Sequence, residues 1–224
     1  VLVTGAGGSI GSELCRQIAR YRPESLMLFE QYENSLHALL LELRGAFPHV
    51  GVLPVVGDVT MSDRVSEVFR QTGPDLVFHA AAHKHVPLME VNPGEAVKNN
   101  IIGTRQLADL ADEFGLEAFV MISTDKAAKP KNLLGQSKAI CEWIVESFAH
   151  RDDVETRFVA VRFGNVLGSS GSVIPIFRRQ IAAGGPVTVT HPEMTRFFMT
   201  IPEAVQLVVQ AGAIAERGQV YVLD

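Results

Sequence analysis

The chain has 224 residues, of which 47% are hydrophobic and 20% are charged, with 19 Gly and 11 Pro. This composition excludes disorder, collagen-like sequence and coiled coil, and no apolar run approaches the roughly 18 residues that a membrane span requires. The formal net charge of −5 argues against nucleic acid or an anionic membrane as a partner, because neither would be attracted. The two cysteines, Cys15 and Cys141, lie far apart in predicted helices, which favours a reducing compartment over a disulfide framework.

Short apolar runs alternate with amphipathic stretches along most of the chain. The runs cover residues 1–4, 25–30, 52–56, 75–79, 118–123 and 158–163. Strands without polar alternation are typical of parallel sheets that are covered on both faces. The pattern therefore predicts an α/β fold of Rossmann type, a doubly wound parallel sheet with helices on either side.

The longest predicted helix runs over residues 94–113. Its apolar and small residues recur at spacings of three and four and form one stripe, made of Val97, Ile101, Thr104, Ala108 and Ala111. Gly115 then provides a natural helix stop. Another helix is predicted to begin near Leu133.

The rhythm of the sequence changes after about Asn165. A Gly/Ser loop, a short helix, a turn, a short strand and a last strand-like run follow, with the loop, turn and last run at 168–172, 184–186 and 220–223. We expect residues 1–164 to form the sheet domain and residues 165–224 to form a small, discontinuous lobe with one segment that returns to the sheet. Because the chain begins inside a predicted strand and ends directly after another, we expect it to be a piece of a longer protein.

Three glycines follow the first predicted strand at the spacing that a dinucleotide requires. Gly5, Gly8 and Gly11 would allow a tight turn and a close approach of the backbone to a pyrophosphate. Ser9 and Ile10 then open a helix whose N-terminus favours negative charge. A glycine-rich turn without a ligand is the competing interpretation, but the position between a buried strand and a helix favours a dinucleotide.

Acidic residues after the second and third strands bear on the choice of cofactor. Glu30 lies about 20 residues after Gly11, where a carboxylate binds a ribose hydroxyl. It would repel a 2′-phosphate and no Arg directly follows it, so NAD is favoured while NADP stays open. Asp58 and Val59 would lie near the adenine amino group, although Asp58 alone is equally typical of a solvated strand end.

Further motifs make the sequence similar to a known family. The glycine turn, the run HAAA at 79–82 and the run NIIGT at 100–104 resemble the extended short-chain dehydrogenase/reductase family. Four longer segments resemble, more closely, its nucleotide-sugar 4,6-dehydratases of capsule, O-antigen and protein-glycan synthesis: ISTDKAA at 122–128, RFGNVLG at 162–168, GGPVTVT at 184–190 and MTRFFMT at 194–200.

The resemblance implies UDP-N-acetylglucosamine or a close UDP-sugar as substrate. In that branch a bound nicotinamide takes a hydride from sugar carbon 4, water is lost across carbons 5 and 6, and the hydride returns to carbon 6. The resemblance also implies that Ala80, Ala81 and Asn100 border the cofactor, and that homo-oligomers form through the helices near 94–113 and 131–150. It implies a cytoplasmic domain, in a parent protein that an amino-terminal membrane region can anchor to the inner membrane.

One position departs from the wider family's pattern. The family's usual base is a Tyr four residues before a Lys, whose ammonium lowers the pKa of the phenol and binds the nicotinamide ribose. Lys138 is present, but Leu134 stands where the Tyr would be, and leucine carries no proton. A dehydratase subgroup that this chain resembles also has an apolar residue there, commonly Met.

The resemblance assigns the proton transfers to the end of the fifth strand. Lys126 would take the carbon-5 proton, Asp125 would protonate the leaving hydroxyl, and Thr124 would orient the carbon-4 hydroxyl. Ordinary pKa values of about 10.4 for Lys and about 3.9 for Asp are wrong for these roles, so we expect burial to lower the first and raise the second. An ion pair in a loop, without catalytic function, is the alternative.

The remaining candidates are residues that could contact the substrate. Lys84 and His85 follow the fourth strand, near the expected nicotinamide, where they would contact either the cofactor or the substrate. Asn165 and Ser169 offer donors to a diphosphate, and Arg196 would bind it through its guanidinium fork. No metal site is predicted, because no Cys or carboxylate set accompanies the nearby histidines, which are His79, His83 and His85.

Two other functions stay open at this point. A nucleotide-sugar epimerase has the same fold and cofactor, but it would normally need a Tyr at position 134 and has less use for adjacent Asp125 and Lys126. A regulatory module that binds a dinucleotide without catalysis is compatible with Leu134. The intact Thr124-Asp125-Lys126 triplet argues against it.

Overall fold

The computed structural model describes residues 1–169, 171–189 and 191–223. Ser170, Thr190 and Asp224 lie outside the described residues. In the sequence they belong to the predicted loop at 168–172, to the GGPVTVT segment and to the chain end, respectively. Within the described ranges, no helix is long and apolar enough to cross a membrane.

A parallel sheet of seven strands forms the centre of the fold. Its strands stand in the order β3-β2-β1-β4-β5-β6-β9, and every neighbouring pair is parallel. The strands are β1 (Leu2–Thr4), β2 (Ser25–Glu30), β3 (Gly51–Val56), β4 (Leu76–His79), β5 (Ala118–Thr124), β6 (Arg157–Phe163) and β9 (Val220–Val222). All seven runs that the sequence marked as strands are confirmed. The five inner strands are largely buried, as expected for a sheet covered on both faces, whereas the edge strands β3 and β9 leave several side chains exposed.

Helices cover both faces of the sheet and enclose two apolar cores. One core contains side chains of α1 (Ser9–Arg20), α2 (Glu33–Ala46) and α9 (Ile201–Ile214). The other contains side chains of α3 (Ser62–Thr72), α6 (Gly103–Glu113) and α7 (Leu133–Ala149). The shorter helices are α4 (Val86–Val91), α5 (Pro93–Glu95) and α8 (Val173–Ala182). The doubly wound fold expected from the sequence is therefore confirmed.

The segment 94–113 is helical throughout, but its register differs from the expected one. A seven-residue π-helix, Ala96–Ile102, lies between α5 and α6. Its wider turn displaces the face that a period of 3.6 residues predicts, so Val97 is 43% exposed instead of lying in the apolar stripe. Thr104, Ala108 and Ala111 are buried as expected, and Gly115 ends the segment with a φ of +59°.

The second lobe is built around a small parallel pair of strands, β7 (Asn165–Leu167) and β8 (Phe198–Thr200). Residues 187–189, in the segment where a short strand was expected, form no strand, and the strand lies instead at β8. After β8, α9 packs against α1, where Gln17 Nε2 donates a hydrogen bond to the carbonyl of Pro202 at 3.0 Å. The lobe is therefore continuous with the sheet domain through α9 and β9.

Candidate active site

The turn between β1 and α1 is packed so closely that only glycine fits at key positions. Gly5 has a φ of +66°, and a Cβ added there would lie 2.7 Å from the backbone nitrogen of Ala81. A Cβ at Gly11 would contact the carbonyl oxygen of Gly5. The Gly8 N–H donates to that same oxygen at 3.0 Å. The turn thus brings backbone amide groups and the positive end of α1 to one place, as a pyrophosphate requires.

A cavity of about 140 Å³ opens beside this turn. Its lining contains seven of the residues that sequence analysis proposed for the cofactor: Gly5, Gly8, Glu30, Asp58, Val59, Ala80 and Ala81. The carboxylate of Glu30 has a fixed position in this lining, because it accepts hydrogen bonds from the N–H groups of Gly7 and Tyr32, both at 2.9 Å. These residues fit a dinucleotide with a free 2′-hydroxyl.

A second cavity of about 430 Å³ adjoins the first and shares Gly8, Ala80, Ala82 and His83 with it. It extends over the carboxyl ends of β1, β4, β5 and β6, where ligands bind in open α/β sheets. Its lining includes Ser9, Ile10, Gly11, Lys84, His85, Thr124, Lys126, Leu134, Lys138, Asn165 and Ser169. Most of the residues proposed for catalysis and for the substrate therefore meet in one space.

The triplet at the end of β5 forms a connected polar cluster. Lys126 Nζ donates to Asp125 Oδ1 at 2.9 Å and to Asn165 Oδ1 at 3.4 Å. Thr124 Oγ1 donates to the same Asp125 oxygen at 2.8 Å. Lys126 lines the cavity, and Asp125, whose side chain is 39% exposed, lies outside the lining but within hydrogen-bond distance of the Lys126 ammonium. The ammonium is thus the charged group of the pair that belongs to the cavity lining.

The pKa of Asp125 differs from the expectation. Burial acts to raise it, but hydrogen bonds from Lys126 and Thr124 outweigh burial, and the pKa lies below its ordinary value. The prediction of a raised pKa for Asp125 is therefore wrong. The physical reason is that both neighbours donate to the charged form of the carboxyl group.

Lys138 and Leu134 lie one helical turn apart at the floor of the second cavity. The amine of Lys138 is buried and donates to the carbonyl of Ile122 at 2.9 Å. Burial lowers its pKa, while the nearby Cys141 and Glu142 act in the opposite direction. Leu134 is only 6% exposed and adds an apolar wall where the wider family has a phenol.

Asn100 is placed differently from the cofactor contact that the sequence suggested. It is fully buried, accepts from the N–H of His83 at 2.8 Å, and donates to Ser137 Oγ at 3.0 Å. It therefore fastens the loop after β4 to α7 and lines neither cavity. Its direct contact with the cofactor stays a prediction.

Asn99 is the residue that sequence analysis missed. It lines the first cavity, and its Oδ1 is buried without a hydrogen-bond partner among the described residues. A buried acceptor of this kind is costly unless a ligand or water completes it. The two adjacent asparagines, Asn99 and Asn100, were the available signal in the sequence. The sequence does not reveal the π-helix, which determines which of their side chains faces the cavity.

Arg196 is the one proposed substrate residue that the structure does not bring to the cavity. It is exposed, and its guanidinium donates to the carbonyl of Thr195 at 2.7 Å. Its contact with a diphosphate stays a prediction.

Partial burial lowers the pKa of Lys84, which does line the cavity. In residues 1–169, 171–189 and 191–223, no group of three or more His, Cys, Asp or Glu could hold a metal ion.

Comparison with known proteins shows the family of this chain. The polysaccharide biosynthesis protein family matches residues 1–224, the whole length of the chain. The chain belongs to this family. Among curated relatives, the capsular polysaccharide biosynthesis protein CapD of Staphylococcus aureus is 56% identical over 225 residues, which cover 100% of this chain and 37% of CapD. The chain therefore spans little more than a third of that relative.

Two further relatives of this family member carry names of specific enzymes. The UDP-N-acetylglucosamine 4,6-dehydratase (inverting) of Campylobacter jejuni is 33% identical over 225 residues, covering 99% of this chain and 66% of the relative. The UDP-glucose 4-epimerase of Rickettsia massiliae is 34% identical over 227 residues, covering 99% of this chain and 65% of the relative. The chain thus groups with nucleotide-sugar dehydratases and epimerases.

Solved structures show the same fold. Pen from Bacillus thuringiensis matches with a TM-score of 0.91 and 35% identity, over 98% of this chain and 67% of Pen. DesIV, the dTDP-glucose 4,6-dehydratase of Streptomyces venezuelae, was solved with NAD bound and matches with a TM-score of 0.84 and 21% identity, over 99% of this chain and 74% of DesIV. Both structures confirm the predicted fold. The sequence resemblance to nucleotide-sugar 4,6-dehydratases is confirmed by the relative from Campylobacter jejuni.

Proposed function

We propose that the protein is a UDP-N-acetylglucosamine 4,6-dehydratase of polysaccharide or glycan biosynthesis, which uses NAD. The observation that carries this proposal is the Lys126–Asp125 ion pair at the rim of the second cavity, combined with an apolar Leu134 in place of a phenol. The 33% identity to an inverting dehydratase supports the same reaction.

The two cavities divide the cofactor's parts between them. The turn of Gly5, Gly8 and Gly11 would hold the pyrophosphate, and Glu30 would hold the adenosine ribose. Asp58 and Val59 would border the adenine, with Ala80, Ala81, Asn99 and Lys138 along the rest of the cofactor. NAD, when bound, supplies the hydride acceptor for sugar carbon 4 and the donor for carbon 6. The position of Glu30 favours NAD over NADP, because a carboxylate repels a 2′-phosphate.

The ion pair can become the acid and base that elimination needs by moving one proton. Transfer from the Lys126 ammonium to the Asp125 carboxylate, along their 2.9 Å hydrogen bond, gives a neutral amine and a neutral acid. A sugar that excludes water from the Lys126 ammonium favours the neutral amine, since desolvation penalises the charged form. The lowered pKa of Asp125 depends on hydrogen bonds from its neighbours, including the charged ammonium, so it is compatible with a role as an acid once the proton has moved.

Each proton in the elimination then has a donor and an acceptor. The Lys126 amine takes the carbon-5 proton of the 4-keto sugar, and Asp125 gives its proton to the carbon-6 hydroxyl, which leaves as water. The pair returns to an ammonium and a carboxylate. After exchange with solvent, the Lys126 ammonium would give a proton back to carbon 5 as carbon 6 receives the hydride, and the proton lost from the carbon-4 hydroxyl balances the one that leaves in water. Thr124 orients the carbon-4 hydroxyl, whose proton leaves towards water or Lys138. Lys84, His85, Asn165, Ser169 and Arg196 are the proposed contacts of the UDP-sugar.

One assay tests this proposal against its competitors. The full-length protein is incubated with UDP-N-acetylglucosamine and NAD in deuterated water, and the sugar is followed by NMR. The expected product is a 4-keto-6-deoxy sugar with deuterium at carbon 5. An epimerised hexose, or unchanged sugar while NAD saturation is demonstrated, would contradict the proposal.

A nucleotide-sugar 4-epimerase is the second candidate. The 34% identity to a UDP-glucose 4-epimerase favours it, and that similarity covers 99% of the chain. It predicts an epimer at carbon 4 and retention of the carbon-5 proton in the same NMR experiment. A regulatory module without catalysis would bind NAD and leave the sugar unchanged.

We also infer that the domain is cytoplasmic and that the protein is a homo-oligomer. Val97, Ile102 and Trp143 support an interface on the two helical segments expected to associate, because these apolar side chains are exposed there. Analytical ultracentrifugation of the full-length protein should show a dimer or a larger assembly. A monomer at micromolar concentration would contradict this inference.

A further inference from the structure

A buried carboxylate outside the cavity lining connects three elements of the site. Glu142 lies on α7, one turn after Lys138, and is 4% exposed. Its Oε1 accepts from Ser123 Oγ at 2.5 Å and from Arg162 Nε at 2.8 Å, while its Oε2 accepts from Arg162 Nη2 at 2.5 Å. One side chain thus joins α7 to both β5 and β6.

The contacts of Glu142 lie one residue pair before the ends of β5 and β6, which lead to the proposed reacting groups. Ser123 and Arg162 are partners in the register of β5 and β6, and the next pair is Thr124 with Phe163. Beyond that pair the two strands diverge, and β5 leads to Lys126 while β6 leads to Asn165. Lys126 Nζ and Asn165 Oδ1 then meet at 3.4 Å across the gap.

Lys138 and Glu142 contact two consecutive residues at the end of β5. Lys138 donates to the carbonyl of Ile122, and Glu142 accepts from the hydroxyl of Ser123. The next residue, Thr124, is the first of the proposed catalytic triplet. Because Lys138 and Glu142 lie one turn apart on α7, a substitution at Glu142 removes the contact that lies nearest to the triplet.

We propose that Glu142 is a positioning residue, which acts through Ser123 and Arg162 to set the distance between Lys126 on one strand end and Asn165 on the other. This inference deepens the proposed function and rests on it. The bidentate contact with Arg162 fixes orientation as well as distance, because a guanidinium fork and a carboxylate match in one plane. A displacement of about 1 Å at a reacting group can lower the rate about 100-fold.

A purely structural role would give a different result from a positioning role. Breaking a buried ion pair from one side is strongly destabilising, whereas replacing all its members with apolar residues of similar volume is often neutral. The informative variant therefore combines Ser123→Ala, Glu142→Leu and Arg162→Met. Because Ser123 itself lines the second cavity, Ser123→Ala alone is measured beside it, and only the loss of kcat beyond that of the single variant counts as positioning. A second control is Glu117→Leu with Arg157→Met, a more exposed pair that links the residue before β5 to the first residue of β6 with a 3.1 Å contact and lines neither cavity.

The test measures the melting temperature, the NAD dissociation constant, and kcat and KM for UDP-N-acetylglucosamine. We expect the triple variant to melt within about 4 °C of the parent. Its kcat should fall about 100-fold below that of Ser123→Ala, with KM and NAD affinity changed less than about twofold. The control with Glu117→Leu and Arg157→Met should keep its kcat within about twofold of the parent. If the triple variant does not fold, Glu142→Gln gives the same separation of kcat from KM.

Two results would overturn the inference. One is a folded triple variant whose kcat stays within about threefold of that of Ser123→Ala. The other is a crystal structure of that variant in which Lys126 and Asn165 keep their contact, which is a readout independent of the reaction. Failure of the proposed function is distinguished by the unmodified protein, since its own NMR product decides that question before any variant is compared.

Discussion

Replacement of Gly11 by alanine tests the cofactor turn directly. A Cβ at position 11 would contact the carbonyl oxygen of Gly5 and lie 2.7 Å from its carbonyl carbon and 2.9 Å from the Cα of Ala6. All three atoms belong to the backbone, so no side-chain rotation can relieve the overlap. The turn itself must move, and with it the amide groups that would hold the pyrophosphate.

The expected change in NAD affinity or in stability follows from the energy of overpacking by one methyl group. Overpacking by one methyl group costs about 1–3 kcal/mol where the surroundings cannot relax. If the turn gives way, this energy appears as a dissociation constant for NAD that is about 5- to 150-fold higher, at about 1.4 kcal/mol per factor of ten. If the turn resists, it appears as a lower stability of the unliganded protein.

Isothermal titration with NAD and thermal unfolding without NAD separate these two cases. The matched control is Gly45→Ala in α2, because a Cβ there meets no atom within 4 Å. Alanine in a helix stabilises by about 0.5–1 kcal/mol relative to glycine, so the control should melt slightly higher and bind NAD unchanged. A Gly11→Ala protein that binds NAD within about twofold of the parent, and melts within about 2 °C of it, would refute the reasoning.

Three further substitutions test the catalytic end of the site. Lys126→Met should lower product formation about 10²- to 10⁴-fold without changing the NAD affinity measured by titration, whereas Lys129→Met, an exposed neighbour, should retain turnover. Normal turnover by the Lys126 variant would contradict the assignment of the base. Asp125 has a lowered pKa, so its carboxylate stabilises the fold at neutral pH, and this contribution is lost as the pH falls from the ordinary value of 3.8 through the lowered one. Asp125→Asn should therefore show a smaller loss of stability in acid denaturation, and an unchanged acid profile would count against the ion pair. A Cβ at Gly135 would lie 2.5 Å from the carbonyl oxygen of Lys126, so Gly135→Ala should displace Lys126 and lower kcat. The control Gly94→Ala should keep the parent's kcat, because a Cβ there meets no atom within 4 Å. If both variants have the same kcat, the loop around Lys126 accommodates the added methyl group.

The sheet and the cofactor turn could be predicted because they depend on local patterns. Uninterrupted apolar runs mark strands that are buried on both faces, and glycines at 5, 8 and 11 mark a turn where backbone atoms approach closely. The strands β7 and β8 were not predicted individually, since each has three residues and includes exposed side chains such as Leu167 and Phe198. Such short strands leave no periodic signal.

The details that sequence missed depend on geometry rather than residue type. The π-helix rotates Asn99 towards the cavity and Asn100 away from it, and no spacing rule distinguishes two adjacent asparagines. The pKa of Asp125 depends on which hydrogen bonds its neighbours choose. Glu142 could be read as a helix residue, but its link to Ser123 and Arg162 required the register of two strands.

The return of the chain from the second lobe to the sheet limits which segments related proteins can exchange. Because α9 packs on α1 and β9 pairs with β6, residues 201–222 help to build the sheet domain that carries the glycine turn. An exchange of residues 165–222 between relatives would replace the support of the helix behind the glycine turn. Under the proposed function, new sugar preferences are therefore more accessible by exchanging only the insert between β6 and α9, which can vary without removing any strand of the central sheet.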